Sequence, residues 1–269
     1  MIFQMRKNFP HIWRLSAALT VACAPFLAGC KGNTTSAAFP DRKIPAPPTI
    51  VASLVGYPQA DILNAEPLSN PVWAHAQWMT FTAPANTTRT TANTQAAILF
   101  DSNMLYVAFA SECQPADKVD HDGVSLFLDT THAGDGTEMV RITVNSDGSA
   151  ECTWIRSATP AERREDGLPD FAHPVSTIPD IQIPGLVSHV TGGTHEGKGM
   201  WEAVVGVPMR ALPMPLRTSP AAGARWKVNL LRTVTVGQHK EQLQANLSPV
   251  YVGAQELAPY RMADLTLVQ

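Results

Sequence analysis

Few residues of this 269-residue chain have types and spacing that could support chemistry. Hydrolysis of a glycosidic bond needs two carboxyl groups facing each other across a cleft, about 5 to 10 Å apart. Asp122, Asp129 and Glu202 are available for that task, and nothing in their spacing singles them out. There is no G-x-S-x-G elbow, no P-loop and no Gly-rich dinucleotide fingerprint. Asp129, Asp135 and Glu138, with Gly134 and Gly136 between them, could wrap oxygen ligands around calcium, but the spacing is not that of an EF-hand, and an acidic solvated loop is the preferred explanation. The 8 histidines include no HExxH and no cysteine-histidine zinc spacing, so no zinc is assigned. These residues alone give no reason to read the chain as an enzyme.

The elements that would position such residues begin after a processed N-terminus. Arg6, Lys7 and Arg14 precede a small, apolar run from Leu15 to Leu27, too short to span a bilayer as an ordinary helix, and Leu27-Ala28-Gly29-Cys30 follows. That order is a signal peptide over residues 1–29 ending in a lipobox, with an ordinary secretory signal as the alternative. Removing it takes three basic residues and no acidic ones from 20 Lys plus Arg and 23 Asp plus Glu, leaving a net charge near −6. With no basic cluster, so acidic a chain makes a poor partner for nucleic acid. Residues 30–54, which include Pro40, Pro45 and Pro47-Pro48, read as a proline-rich spacer, and one domain is expected over 55–269. Cys113 and Cys152 remain in that domain. In an oxidising compartment they could form a disulfide, or they are two small buried thiols.

Within the domain the pattern is β throughout. Ala96 to Phe100 is an apolar run that stops at the turn-forming Asp101-Ser102-Asn103, and Met104 to Ala110 is apolar on both alternating sets, which predicts a central strand with a layer on each side. Gly123 to Asp129 sets Val124, Leu126 and Leu128 against Ser125 and Phe127. Met139 to Asn145 sets Val140, Ile142 and Val144 against Arg141, Thr143 and Asn145, and Ser146-Asp147-Gly148 turns into Ser149 to Arg156. Residues 157 to 184 read as a long polar loop. Strands resume at Leu186 to Val190, Gly199 to Val207, Arg225 to Val236 and Met262 to Val268, with a helical turn at Pro208 to Leu212. About ten short strands with no long amphipathic helix predict an all-β, antiparallel β-sandwich with short helical turns. Trp201 and Trp226 alternate with aliphatic residues and are assigned to the core, whereas Trp73, Trp78 and Trp154 are candidates for an exposed aromatic platform.

An ordered series of motifs accompanies this pattern. Leu105-Tyr-Val-Ala-Phe109, Asp122-Gly-Val-Ser-Leu-Phe-Leu-Asp129, Ile142-Thr-Val-Asn145, Trp201-Glu202 through Pro208 and Trp226-Lys-Val-Asn229 through Arg232 occur in that order, after Asn70-Pro-Val-Trp73. The series resembles the family 9 carbohydrate-binding modules and their DOMON-like relatives, and covers roughly residues 55 to 268. The resemblance implies a sandwich that binds an oligo- or polysaccharide without catalysis, beside a partner glycoside hydrolase. Asn145, Glu202, Asn229 and Arg232 fall at the family's motif positions. Together with Arg141, which shares the outward face of Asn145, and Trp154, they form the expected ligand-binding set. Glu202 and Arg232 could instead be a structural ion pair. The family's later Trp-Ser-Pro stands here as Leu247-Ser248-Pro249. The resemblance to bacterial lipoproteins implies that Cys30 carries lipid and anchors the chain in the cell envelope, at the outer membrane by analogy from Lys31. DOMON-like cytochromes add an alternative, a haem held by Met and His, for which Met104, Met139, Met200, Met209, His121, His132 and His189 are available. A structural envelope lipoprotein without a small ligand is the third reading.

Overall fold

In a computed structural model of the chain, the residues described are 46–63, 66–84, 87–115, 118–131, 138–155, 177–248 and 262–269, all within one compact unit, Phe39–Gln269. Thirteen strands form them: β1 Thr49–Leu54, β2 Met79–Thr80, β3 Thr94–Phe100, β4 Met104–Glu112, β5 Val119–Asp129, β6 Met139–Asn145, β7 Ala150–Ile155, β8 Thr177–Ile178, β9 Val187–His195, β10 Lys198–Pro208, β11 Arg225–Val236, β12 Glu241–Asn246 and β13 Ala263–Val268. A short helix α1, Gln59–Leu63, and 3-10 turns at Pro71–His75 and Met209–Ala211 complete them.

The strands follow one hydrogen-bonded path, β8-β7-β6-β5-β11-β13-β1-β3-β4-β10-β9, with β12 on β11 and β2 on β3. The path curls so that its two halves face each other. One apolar cluster draws Val124, Leu126 and Leu128 of β5 and Ile142 of β6 together with Ile98 of β3, Val107 and Phe109 of β4 and Trp201 and Val205 of β10. This is an all-β sandwich. Trp201 and Trp226 lie in its core, 6% and 3% exposed. The outer side of β4 is also covered, because Tyr106 and Ala108 pack with Leu99 and Val204 beneath Ile62, Leu63, Val72 and Trp73. That second layer is why the strand is apolar on both alternating sets.

Local chemistry sets the hairpins. Asp101 Oδ1 accepts the backbone N–H groups of Asn103 and Met104, closing the β3–β4 turn, and its Oδ2 accepts the Tyr106 hydroxyl at 2.6 Å. Gly148, at φ 88°, turns β6 into β7, a left-handed conformation that costs glycine nothing.

Three expectations change. The sheet begins at Thr49, not after residue 54: Thr-Ile-Val-Ala-Ser-Leu alternates, buries Ile50 and Ala52, and pairs in parallel with both β13 and β3. Prolines 47 and 48 mark a strand start there, not more spacer. Cys113 and Cys152 are both free thiols, one exposed and one buried, and do not form the disulfide. Cys152 points into the core, and burial pushes its thiol up to about 11. The long loop falls mostly outside the described residues, but its C-terminal part supplies β8, which pairs with β7.

Candidate functional site

Strands have a side-chain period of two, so each residue's parity decides which face of the sheet it joins. On β5, β6, β7 and β11 the apolar parity points into the sandwich and the opposite parity outward. Register then aligns the outward residues in rows. Glu151 on β7 sits opposite Thr143 on β6, which faces Ser125 on β5, and Ser125 faces Leu231 on β11. One row along, Asn145 faces Gly123, Gly123 faces Thr233, and Thr233 faces Gln244 of β12. In the other direction Thr153 faces Arg141, and Arg141 faces Phe127.

These rows form a groove of about 230 Å³, lined by Arg141, Thr143, Glu151, Ser125, Thr233, Gln242 and Gln244, with His121 and Gly123 at one end and Phe127 and Leu231 in the floor. The Ser125 and Thr143 hydroxyls share a hydrogen bond of 2.8 Å, and Arg141 Nη2 donates to Thr153 Oγ1 at 3.2 Å. Phe127 and Leu231 pack with Met139, Ile155 and Met262 in a small cluster on this outer face. Gly123 keeps the groove open at the histidine end. A Cβ there would lie 2.6 Å from Asn145 Oδ1 and 3.2 Å from His121 Nε2. Chemically the groove offers hydroxyls, amides and one guanidinium, groups that match sugar hydroxyls.

The structure scatters the expected ligand-binding set. Arg141 and Asn145 come together on this face. Asn229 shares it but is 0% exposed, its Oδ1 accepting the N–H groups of Leu230 and Ser248. Arg232 lies on the opposite parity and is fully buried. Its Nε and Nη2 hold the two oxygens of Asp122 at 2.9 and 2.7 Å, Nη2 also donates to Glu112 O, and Nη1 donates to Thr94 Oγ1 and Ala92 O. Trp201 Nε1 donates to the same Asp122, and the guanidinium carbon lies 5.8 Å from the Trp201 ring centroid. Arg232 is therefore a cross-sandwich tie whose ion-pair partner is Asp122, not Glu202.

Trp154 sits on the inward parity of β7, packs against the core and donates to Glu138 Oε2 at 2.8 Å. The other two platform candidates are not exposed either. Trp73 is 0% exposed, and Trp78 leans on it with its Nε1 donating to Trp73 O. Glu202 lies in the other half of the sandwich, at the floor of a cavity of about 100 Å³ with Glu66 and His195 at its walls, where Oε2 accepts the Leu68 N–H at 3.2 Å. Burial above all, aided by the charge of Glu66, raises its carboxyl above the usual range.

Of the calcium candidates, Asp129 is buried and accepts two hydrogen bonds from Thr131, Glu138 holds Trp154, and Asp135 lies outside the described residues. Among the described residues no three His, Cys, Asp or Glu side chains are placed to hold a metal. The methionines proposed for haem belong to separate clusters, Met104 beneath the outer cap, Met139 on the outer face and Met209 in the main core; Met200 is buried and His132 is not described.

No protein-family model and no curated protein matches the chain. Among solved structures it is similar to a putative carbohydrate-binding protein from Bacteroides uniformis, with a TM-score of 0.60 and 11% identity, covering 82% of this chain and 100% of that one. It is also similar to a carbohydrate binding module family 9 from Caldicellulosiruptor kristjanssonii, in complex with cellotriose (TM-score 0.48, 13% identity, 82% and 93% coverage) and with glucose (0.49, 14%, 81% and 95%). The likeness to the Bacteroides protein is one of fold.

The sequence reading missed Ser125, Thr143, Thr233, Gln242 and Gln244 as groove residues. The signal was their parity, since each alternates with a core residue of its own strand.

Proposed function

We propose that the sandwich binds carbohydrate without cleaving it, in the groove across β12, β11, β5, β6 and β7, and that lipid on Cys30 holds it at the cell envelope. There it captures glycans or keeps a partner glycoside hydrolase near them. The observation that carries this reading is the groove's lining, in which hydroxyl and amide side chains from four adjacent strands, β12, β11, β5 and β6, converge on one cavity that Glu151 of β7 completes. Burying a sugar hydroxyl is costly unless it is paired, and such a surface pairs it. At about 230 Å³ the cavity is smaller than the roughly 300–1,000 Å³ of drug-sized sites and suits a single sugar ring. Glu151 is the one carboxylate among the described groove residues, whereas glycoside hydrolysis takes two. The fold shared with a putative carbohydrate-binding protein supports the same reading.

The test is a glycan array on the full chain followed by calorimetry with Gln242→Ala and Thr143→Val. Loss of affinity in both, with circular dichroism unchanged, is expected. Failure to bind any glycan, or binding indifferent to both substitutions, would overturn it.

A further inference from the structure

The arginines of the described chain fall into three situations. Arg89, Arg210, Arg217 and Arg225 are exposed, where water solvates the charge. Arg232 is fully buried, and its five N–H donors all have acceptors, two of them on a carboxylate. Arg141 is neither. It is half-buried in the groove wall, and among the described residues its one hydrogen bond is to the neutral Thr153 hydroxyl at 3.2 Å, with no carboxylate within ion-pair distance. Partial burial of a guanidinium without an anion is unfavourable, so its persistence at the wall of a cavity points to an anion supplied from outside.

We infer that the groove selects saccharides carrying a carboxylate, uronic acid units, with Arg141 as the residue that reads the charge. This rests on the carbohydrate reading above and narrows it. The planar fork of a guanidinium matches a carboxylate in bidentate fashion, and Arg141 keeps its Nε and Nη1 hydrogens and one on Nη2 for that purpose. The neutral face formed by Ser125, Thr143 and Gln242 is left to hold ring hydroxyls. Two other ionisable groups line the groove. His121 is exposed at the far end, and adds an N–H donor. Glu151 is exposed on the next strand, one row from Arg141, and repels an anion. The ligand's carboxylate is thereby confined to the Thr153 side of Arg141, and neutralising Glu151 strengthens binding.

The experiment titrates the full chain with a panel of uronate oligosaccharides, with the same oligosaccharides after carboxyl reduction to the neutral sugars, and with sulfated oligosaccharides of similar length. The acidic form is expected to bind at least about tenfold tighter than its reduced counterpart, the range of one charged hydrogen bond, and to lose that preference as salt is raised. Arg141→Gln, which can still donate to Thr153, is expected to make the two forms bind equally. Glu151→Gln is expected to widen the preference, a gain that misfolding does not produce. Equal or tighter binding of the reduced sugars by the unaltered chain would overturn the inference and leave the groove as a neutral-sugar site. Binding of the sulfated sugars alone would assign the anion to sulfate and overturn the uronate. Failure of all three classes would overturn the carbohydrate reading together with the inference.

Discussion

Arg141 and Arg232 have the same side chain and opposite fates, and the difference is one of parity. Arg232 continues the series Trp226, Val228, Leu230, which points into the core, so its charge had to be met there by Asp122, itself in series with Val124, Leu126 and Leu128. Asn229, three positions earlier, necessarily faces the other way. A single ligand could not have touched both. The Arg232–Asp122 pair is tied to Thr94, Ala92, Glu112 and Trp201 on the opposite half of the sandwich, so it joins the two halves as well as neutralising itself. Arg232→Met leaves the Asp122 carboxylate buried with only the Trp201 N–H facing it. The expected loss is about 3–5 kcal/mol of unfolding free energy. Urea unfolding checks it, and adding Asp122→Asn to Arg232→Met should recover part of the loss, because the stranded charge is then gone. A loss below about 1 kcal/mol would mean that the pair is not the tie described here.

At the scale of the element, β1 decides where the domain starts. It lies between β13 and β3 in the interior of the path, with both neighbours parallel, so its removal opens the sheet and uncovers the core around Ile50 and Ala52. A chain beginning at residue 46 is expected to fold, and one beginning at residue 55 is expected to lose cooperative thermal unfolding. Equal melting of the two forms would reduce β1 to an appendage. The sequence made this strand hard to read, since two prolines precede it and only Ile50 and Ala52 of its six residues are buried. By contrast β6 was legible to the residue and β10 to within one at each end, and the apolar parts of β4 and β5 were read correctly although the strands run on by two and four further residues. Strand β12 was not. Glu-Gln-Leu-Gln-Ala-Asn holds only two apolar residues, and its pairing is set by β11 and by the turn through Gly237 at φ 70° and Lys240 at φ 52°. Missing β12 concealed Gln242 and Gln244 of the groove wall. The candidate site was therefore legible in part: Arg141 and Asn145 followed from alternation, whereas Gln242 and Gln244 needed the cross-strand register.

For the whole molecule, the groove and the proposed lipid attachment make separate demands, and the chain between them must allow both. Residues 31–46, read from their prolines as a spacer, would span on the order of 50 Å if extended at about 3.1 Å per residue. That is enough to let a sandwich of this size turn its groove toward a polymer lying away from the bilayer. A single acyl chain gives only marginal membrane binding, so the proposed anchor requires more than one chain on Cys30. On this view the anchor contributes location and the groove contributes recognition, with no coupling between them. Cys30→Ser in the host cell is therefore expected to move the protein from the membrane fraction to the soluble fraction while leaving its affinity for a groove ligand unchanged, measured by fractionation and calorimetry on the same preparation. Retention in the membrane fraction would overturn the lipid anchor. A change in affinity would overturn the independence of the two, and would mean that the membrane surface takes part in holding the ligand.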